Sequence, residues 1–258
     1  MDFQKIEKIS TGSYDLNTWL YGGYEKGIIT MIAGPPGCGK TNMSILVACS
    51  QAKKGNKVIF IDTENGFSSD RVKQIIGENF EEISKNILLI SPSNFDEQKK
   101  FFTTLNNHLK SPKAKPLTNS SDSQIKEPIS LIVVDGMAML YRLELGTARE
   151  EDKVKEINSE VANQMKLLAE ISKKQNIPVL ITNQVYSGFQ SEEDWKNGVE
   201  REVNIVGGDL FQYWSKCIIQ LKNERGKRKA ILKKHRSLPE REMGFEIRNE
   251  GIFRKGMF

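Results

Sequence analysis

The stretch Gly34-Pro35-Pro36-Gly37-Cys38-Gly39-Lys40-Thr41 separates an apolar run, Ile28–Ala33, from a segment in which Met43, Leu46 and Val47 recur at helical spacing. It fills the pattern G-x-x-x-x-G-K-[ST] in a strand–loop–helix context. Glycines let consecutive backbone N–H groups turn inward around phosphate oxygens, and the N-terminus of the next helix adds partial positive charge. In such a loop Lys40 reaches the β- and γ-phosphates, and the Thr41 hydroxyl ligates Mg²⁺. The spacing predicts a nucleotide and Mg²⁺ as ligands and is silent on what the nucleotide drives.

Outward from this loop, short β-branched runs alternate with helical patterns, which predicts βαβ units and a parallel sheet. Val58–Asp62, Ile87–Ser91, Ile129–Asp135 and Val179–Asn183 are continuous apolar runs, as expected of strands covered on both faces. Helices are predicted over Thr41–Lys54, Asp70–Ile76 and roughly Glu151–Gln175, where Val154, Ile157, Val161, Met165, Leu168 and Ile171 step by three or four. Lys216–Leu221, Lys229–Lys234 and Met243–Arg248 read as antiparallel strands, the first two joined around Gly226. The expected fold is α/β, a mostly parallel twisted sheet flanked by helices, in one domain over 1–258. Two stretches interrupt the order. Ser111–Pro128, with three prolines and a Ser/Asn/Asp cluster, reads as a flexible surface insertion, and Val185–Val206, with no clean period, as a long functional loop.

Three further residues stand at predicted strand ends. Asp135 closes Leu131-Ile132-Val133-Val134-Asp135, the place where an open α/β sheet binds ligands and where an acid orients Mg²⁺, here through water. Glu64 follows Phe60-Ile61-Asp62-Thr63 and is placed to polarise an attacking water. Gln184 follows Val179–Asn183 and could sense a γ-phosphate or position that water. Taken singly, Glu64 and Gln184 are equally ordinary polar strand-end residues, whereas Asp135 beside a complete phosphate loop favours the functional reading.

The composition narrows the class. The chain has 258 residues, 38% hydrophobic and 28% charged, enough to bury a core and too ordered in pattern for a disordered chain. No apolar run approaches the ~18 residues of a membrane helix, and the first residues lack a signal-peptide pattern. Cys38, Cys49 and Cys217 are too widely spaced for a metal or disulfide framework, and His108 and His235 are the only histidines. A soluble, cytoplasmic protein with no membrane partner is expected.

The ordered set extends well beyond the phosphate loop. Thr11-Gly12, Leu16, Leu20-Tyr21-Gly22-Gly23 and Gly27 precede it; Ile61-Asp62-Thr63-Glu64-Asn65 with Arg71-Val72, then Ile181-Thr182-Asn183-Gln184-Val185 and Gly207-Gly208, follow it. Together these resemble the ATPase core of the RecA/RadA recombinase family over Ile9 to Ile252, closest to its short archaeal branch. The resemblance implies that Glu64 is the water-activating base, Gln184 the γ-phosphate sensor and Arg71 the adenine clamp. It also implies weak ATPase activity and an accessory role in recombination without efficient strand exchange. Only 33 residues precede the loop, too few for the helical DNA-binding domain of the longer recombinases.

Charge departs from the family pattern. The net charge is +5, yet residues 222–236 alone carry +7, so the remainder carries −2. The segments matching the family's two DNA loops are acidic: Glu144–Glu156 holds five acids against three bases, and Val185–Val206 nets −3. Acidic loops oppose a polyanion where neutralisation should supply affinity. The sequence therefore points to Lys227, Arg228, Lys229, Lys233, Lys234 and Arg236 as the DNA contacts, with Tyr186, Phe189 and Trp195 as candidate base-stacking residues. The alternative is a solvated edge hairpin whose lysines deter aggregation, with the aromatics in packing roles.

The expected partners are DNA, single-stranded or branched, together with a RadA-type recombinase or a junction-processing nuclease; self-association is left open. Rival readings are a RecA-like ATPase of helicase or circadian-regulator type, and a mediator in which nucleotide acts only as a switch.

Overall fold

The computed structural model describes residues 6–110, 128–187 and 203–256. Residues 111–127 of the expected insertion Ser111–Pro128, and the centre of the long loop, including Phe189 and Trp195, lie outside them. The large sheet is ordered β12-β11-β10-β9-β3-β7-β6-β4-β5. Its parallel part comprises β3 (Ile29–Gly34), β4 (Lys57–Asp62), β5 (Ile87–Ile90), β6 (Ile129–Asp135), β7 (Val179–Ser187) and β9 (Ser215–Glu224). β10 (Lys227–Lys234), β11 (Arg241–Arg248) and β12 (Gly251–Arg254) continue it antiparallel. The fold is α/β with C-terminal antiparallel strands, as the sequence pattern predicts.

Alternation along the strands divides the core into two layers. Ile32, Phe60, Val133, Leu180 and Ile219 face α2 (Lys40–Ala52), α3 (Ser69–Ile76) and α4 (Phe80–Ser84). Met31, Ile61, Val134, Ile181 and Ile218 face α5 (Phe95–Lys110), α6 (Met139–Thr147), α7 (Glu151–Gln175) and α8 (Asp209–Trp214). Each central strand is thus buried on both sides, which is why its sequence is continuously apolar rather than alternating. α2 and α3, which follow β3 and β4, pack on one face, and α6, which follows β6, packs on the other, the arrangement that in open α/β sheets leaves a crevice at the C-terminal edge of the strands.

Three readings need correction. Ser215–Glu224 is antiparallel to β10 but pairs parallel with β3, so it belongs to the central sheet. The interval Val185–Val206 begins and ends as strand: β7 runs on to Ser187 and pairs antiparallel with β8 (Val203–Ile205). Glu144–Glu156 is not a loop but the end of α6, a short break and the start of α7, whose first turn gains from Glu151 and Asp152 near the helix N-terminus.

A small pair, β1 (Lys8–Ile9) with β2 (Tyr24–Glu25), encloses α1 (Tyr14–Trp19). The Ser13 hydroxyl, the α1 N-cap, donates to Ile252 O at 2.6 Å, and Arg254 N donates to Asp15 Oδ2 at 2.8 Å. The edge strand β12 is thereby covered against pairing with another chain.

Candidate functional site

The loop 34–41 leaves β3 at the crevice. Gly37 and Gly39 have φ of 71° and 108°, left-handed values that turn the backbone into the cradle. A Cβ on Gly34 would lie 2.7 Å from Cys38 Sγ and 2.8 Å from Leu221 O, so the first glycine is required by a close approach. Cys38 points inward and is fully buried, and burial pushes its thiol up. Pro35 and Pro36 form the rising arm of the loop, and Pro35 O, with Gly34 O, accepts from Lys40 Nζ at 3.0 and 2.9 Å.

Parallel registry brings the strand-end residues together. Gly34 lies opposite Gln184, and Asp62 opposite Asp135. Thr41 Oγ1 donates to Asp135 Oδ2 at 2.6 Å, and Thr182 Oγ1 donates to Asp135 Oδ1 at 2.7 Å while accepting from Gly136 N at 2.8 Å. Burial raises the Asp135 carboxyl, and the two threonine hydroxyls oppose that rise by stabilising the charged form. Gln184 Nε2 donates to Glu64 Oε1 at 3.0 Å. Lys40, Thr41, Glu64, Asp135 and Gln184 thus share one site although they come from four separate segments.

The residues fit Mg-bound triphosphate. A glycine-turned loop with a helix N-terminus suits the anion, and a hydroxyl paired with a carboxylate is the hard oxygen donor set Mg²⁺ takes. Arg71 stands apart on α3. Its Nη1 donates to Gln74 Oε1 at 2.9 Å and to Asn249 O at 3.0 Å, while Nε and Nη2 are buried with no partner among the described residues. Two unused donors beside the β11–β12 turn are compatible with a base-contacting role.

The sequence reading missed Asp62, Thr63 and Thr182. Asp62 is 3% exposed and accepts three backbone N–H groups. Thr63 Oγ1 lies 3.0 Å from Asp135 O and 2.7 Å from Gly136 O. Only Asp62 had a visible signal, a carboxylate closing an apolar strand as Asp135 does.

The basic hairpin is divided by structure. Arg225 and Gly226 form its two-residue turn with φ of 51° and 81°. Lys229 pairs with Glu242 at 3.4 Å and Lys233 with Glu240 at 2.7 Å, both exposed. Lys234 Nζ donates to Gln212 O at 2.8 Å, and Lys216 Nζ to Tyr213 O at 3.2 Å, so two lysines cap the last turn of α8. Burial lowers the Lys234 ammonium. Arg236 Nε contacts Glu25 Oε2 at 2.6 Å, and that carboxylate is 1% exposed. Lys227 and Arg228, near the turn, have no ion-pair partner among the described residues. Tyr186 is exposed on β7. Among the described residues no group of His, Cys, Asp and Glu forms a metal cluster, and no helix is long and apolar enough to cross a membrane.

The family model for Rad51 matches residues 3–255. The DNA repair and recombination protein RadB of Methanobrevibacter smithii is 38% identical over 254 residues, covering 97% of each chain. RadB of Methanocaldococcus jannaschii is 41% identical over 234 residues, 90% of this chain and 96% of that one. RadB of Methanothermobacter thermautotrophicus is 35% identical over 260 residues, 97% of each. With the family pattern spanning nearly the whole sequence and its strand-end residues converging on the phosphate loop, the chain belongs to the Rad51 family.

Proposed function

We propose that this protein is a RadB-like factor of DNA repair and homologous recombination that binds ATP and DNA, hydrolyses ATP slowly and does not carry out efficient strand exchange. The observation that carries the reading is the convergence of Lys40, Thr41, Asp135, Glu64 and Gln184 on one loop mouth. Bound Mg²⁺ supplies charge neutralisation at the β- and γ-phosphates. Thr41 would offer it an oxygen, and Asp135 would hold it through water. Loop 34–41 wraps the phosphates, Lys40 balances charge on the γ-phosphoryl group, and Arg71 contacts the adenine. Glu64 takes a proton from the water that attacks the γ-phosphorus, and Gln184 orients that water. The bond from phosphorus to the bridging oxygen breaks, leaving ADP and phosphate.

DNA is held by the hairpin rather than by the acidic segments. Lys227 and Arg228, without carboxylate partners, are the first contacts. Lys229 and Lys233 can exchange exposed acids for phosphates at little cost, because exposed ion pairs contribute only about 0–1 kcal/mol. Lys234 and Arg236 are held by α8 and Glu25 and contribute chiefly to structure. The protein acts beside a RadA-type recombinase or a junction-processing nuclease, alone or as a homo-oligomer.

The test is ATP hydrolysis and DNA binding measured together across a salt series. Mg-dependent hydrolysis lost on Glu64→Gln, with DNA affinity falling as salt rises, is the expected outcome. Absence of ATP binding refutes the reading. Retention of repair function by a hydrolysis-dead Glu64→Gln variant instead identifies nucleotide as a switch.

A further inference from the structure

Between β4 and α3 the chain makes a tight loop, Thr63–Phe67, that presents Glu64 to the crevice. Asn65 sits in the left-handed region at φ 58°, which asparagine accepts more readily than other side chains. Asp62 holds the backbone around it. Its Oδ1 accepts Glu64 N at 3.2 Å and Gly66 N at 3.1 Å, and its Oδ2 accepts Phe67 N at 2.8 Å. On the other side the loop is pressed against Gly136, where a Cβ would come within 2.6 Å of Glu64 Cγ and 2.5 Å of Thr63 Oγ1.

We propose that Asp62 is a positioning residue for ATP hydrolysis: its carboxylate fixes the loop backbone so that the Glu64 side chain stands at the attacking water. This rests on the reading of Glu64 as the base. The chemistry of the clamp is specific. Three N–H donors converge on two oxygens of one short side chain, and only a carboxylate presents acceptors at both atoms. Asparagine has the same size but replaces one acceptor with an NH₂ group facing a backbone N–H. At least one bond is then lost and two donors are opposed.

The experiment compares wild type with Asp62→Asn by steady-state ATPase kinetics, ATP binding, and amide hydrogen exchange across residues 62–68. The expected result is a kcat lower by about 10²-fold, the scale of a 1 Å misplacement of a reacting group, with KM for ATP within about two-fold. Exchange accelerates in Thr63–Phe67 and stays slow in the rest of β4. Unchanged kcat with unchanged exchange overturns the proposal. So does accelerated exchange throughout β4 and β6, which marks Asp62 as a folding residue. A Glu64→Gln control separates the two readings. If it hydrolyses ATP as well as wild type, the base assignment and with it the catalytic role of Asp62 fall. If it is inactive while Asp62→Asn keeps full kcat, only the positioning role falls.

Discussion

Gln184 Nε2 and Glu64 Oε1 are 3.0 Å apart although 120 positions separate them in the chain. The bond ties the mouth of the β7–β8 hairpin to the loop that follows β4. A residue at the root of one surface hairpin therefore touches the group assigned to water activation.

Replacing Glu64 by Gln should abolish most hydrolysis while sparing nucleotide affinity. The amide keeps a donor and an acceptor for Gln184 but cannot take a proton. A loss of about 10²–10⁴-fold in kcat is expected for removal of a general base. Steady-state ATPase assays and equilibrium titration with a fluorescent ATP analogue read the two effects separately.

Asp135 gives a pH dependence of fixed sign. Burial holds its carboxyl above the ordinary range, so protons compete with Mg²⁺ at a higher pH than at a free aspartate. Mg²⁺-dependent ATP affinity should fall on acidification, and Asp135→Asn should be weak and nearly flat. The same shift acts on folding. A carboxyl raised in the folded state favours folding most below its unfolded value, and that contribution is lost as pH rises through the folded value. Asp135→Asn should therefore raise the Tm of the nucleotide-free protein near neutral pH, with the difference shrinking toward acid. Differential scanning calorimetry from pH 4 to 8 checks the sign.

The hairpin cations should separate into two classes. Each phosphate neutralised contributes about 0.7 to 0.9 to the slope of log affinity against log salt. Lys227→Ala with Arg228→Ala should lower the slope by about 1.4–1.8. Arg236→Ala should leave the slope alone and destabilise the fold, because it strips the buried Glu25 of its 2.6 Å contact. About 1–3 kcal/mol is expected, below the full cost of breaking a buried pair because the arginine is half-exposed. Fluorescence anisotropy over a salt series and urea denaturation test the two halves.

Gly34→Ala should weaken ATP binding and stability together. Its Cβ would meet Leu221 O at 2.8 Å, and a backbone carbonyl in a central strand cannot swing aside as a side chain can. Overpacking of this kind costs about 1–3 kcal/mol. Equal affinity and Tm in the variant would contradict the close β3–β9 approach.

Local rules written in the chain were enough for much of this. Continuous apolar runs specify strands buried on both faces, the glycine spacing specifies an anion cradle, and the β9–β10 turn is legible in Arg225-Gly226 because few residues other than glycine accept its backbone. Helix α7 was equally plain, its apolar positions stepping at three and four. What the sequence could not contain is proximity across strands. That Glu64 meets Gln184, and that Thr182 and Thr41 grip opposite oxygens of Asp135, follow from the packing of segments distant in the chain. The basic hairpin shows the same division. Linear charge counts every cation between 222 and 236 alike, whereas packing withdraws Arg236 to a buried acid and Lys234 to the end of a helix. Charge is a property of composition, but its availability depends on what the fold places within a few ångströms.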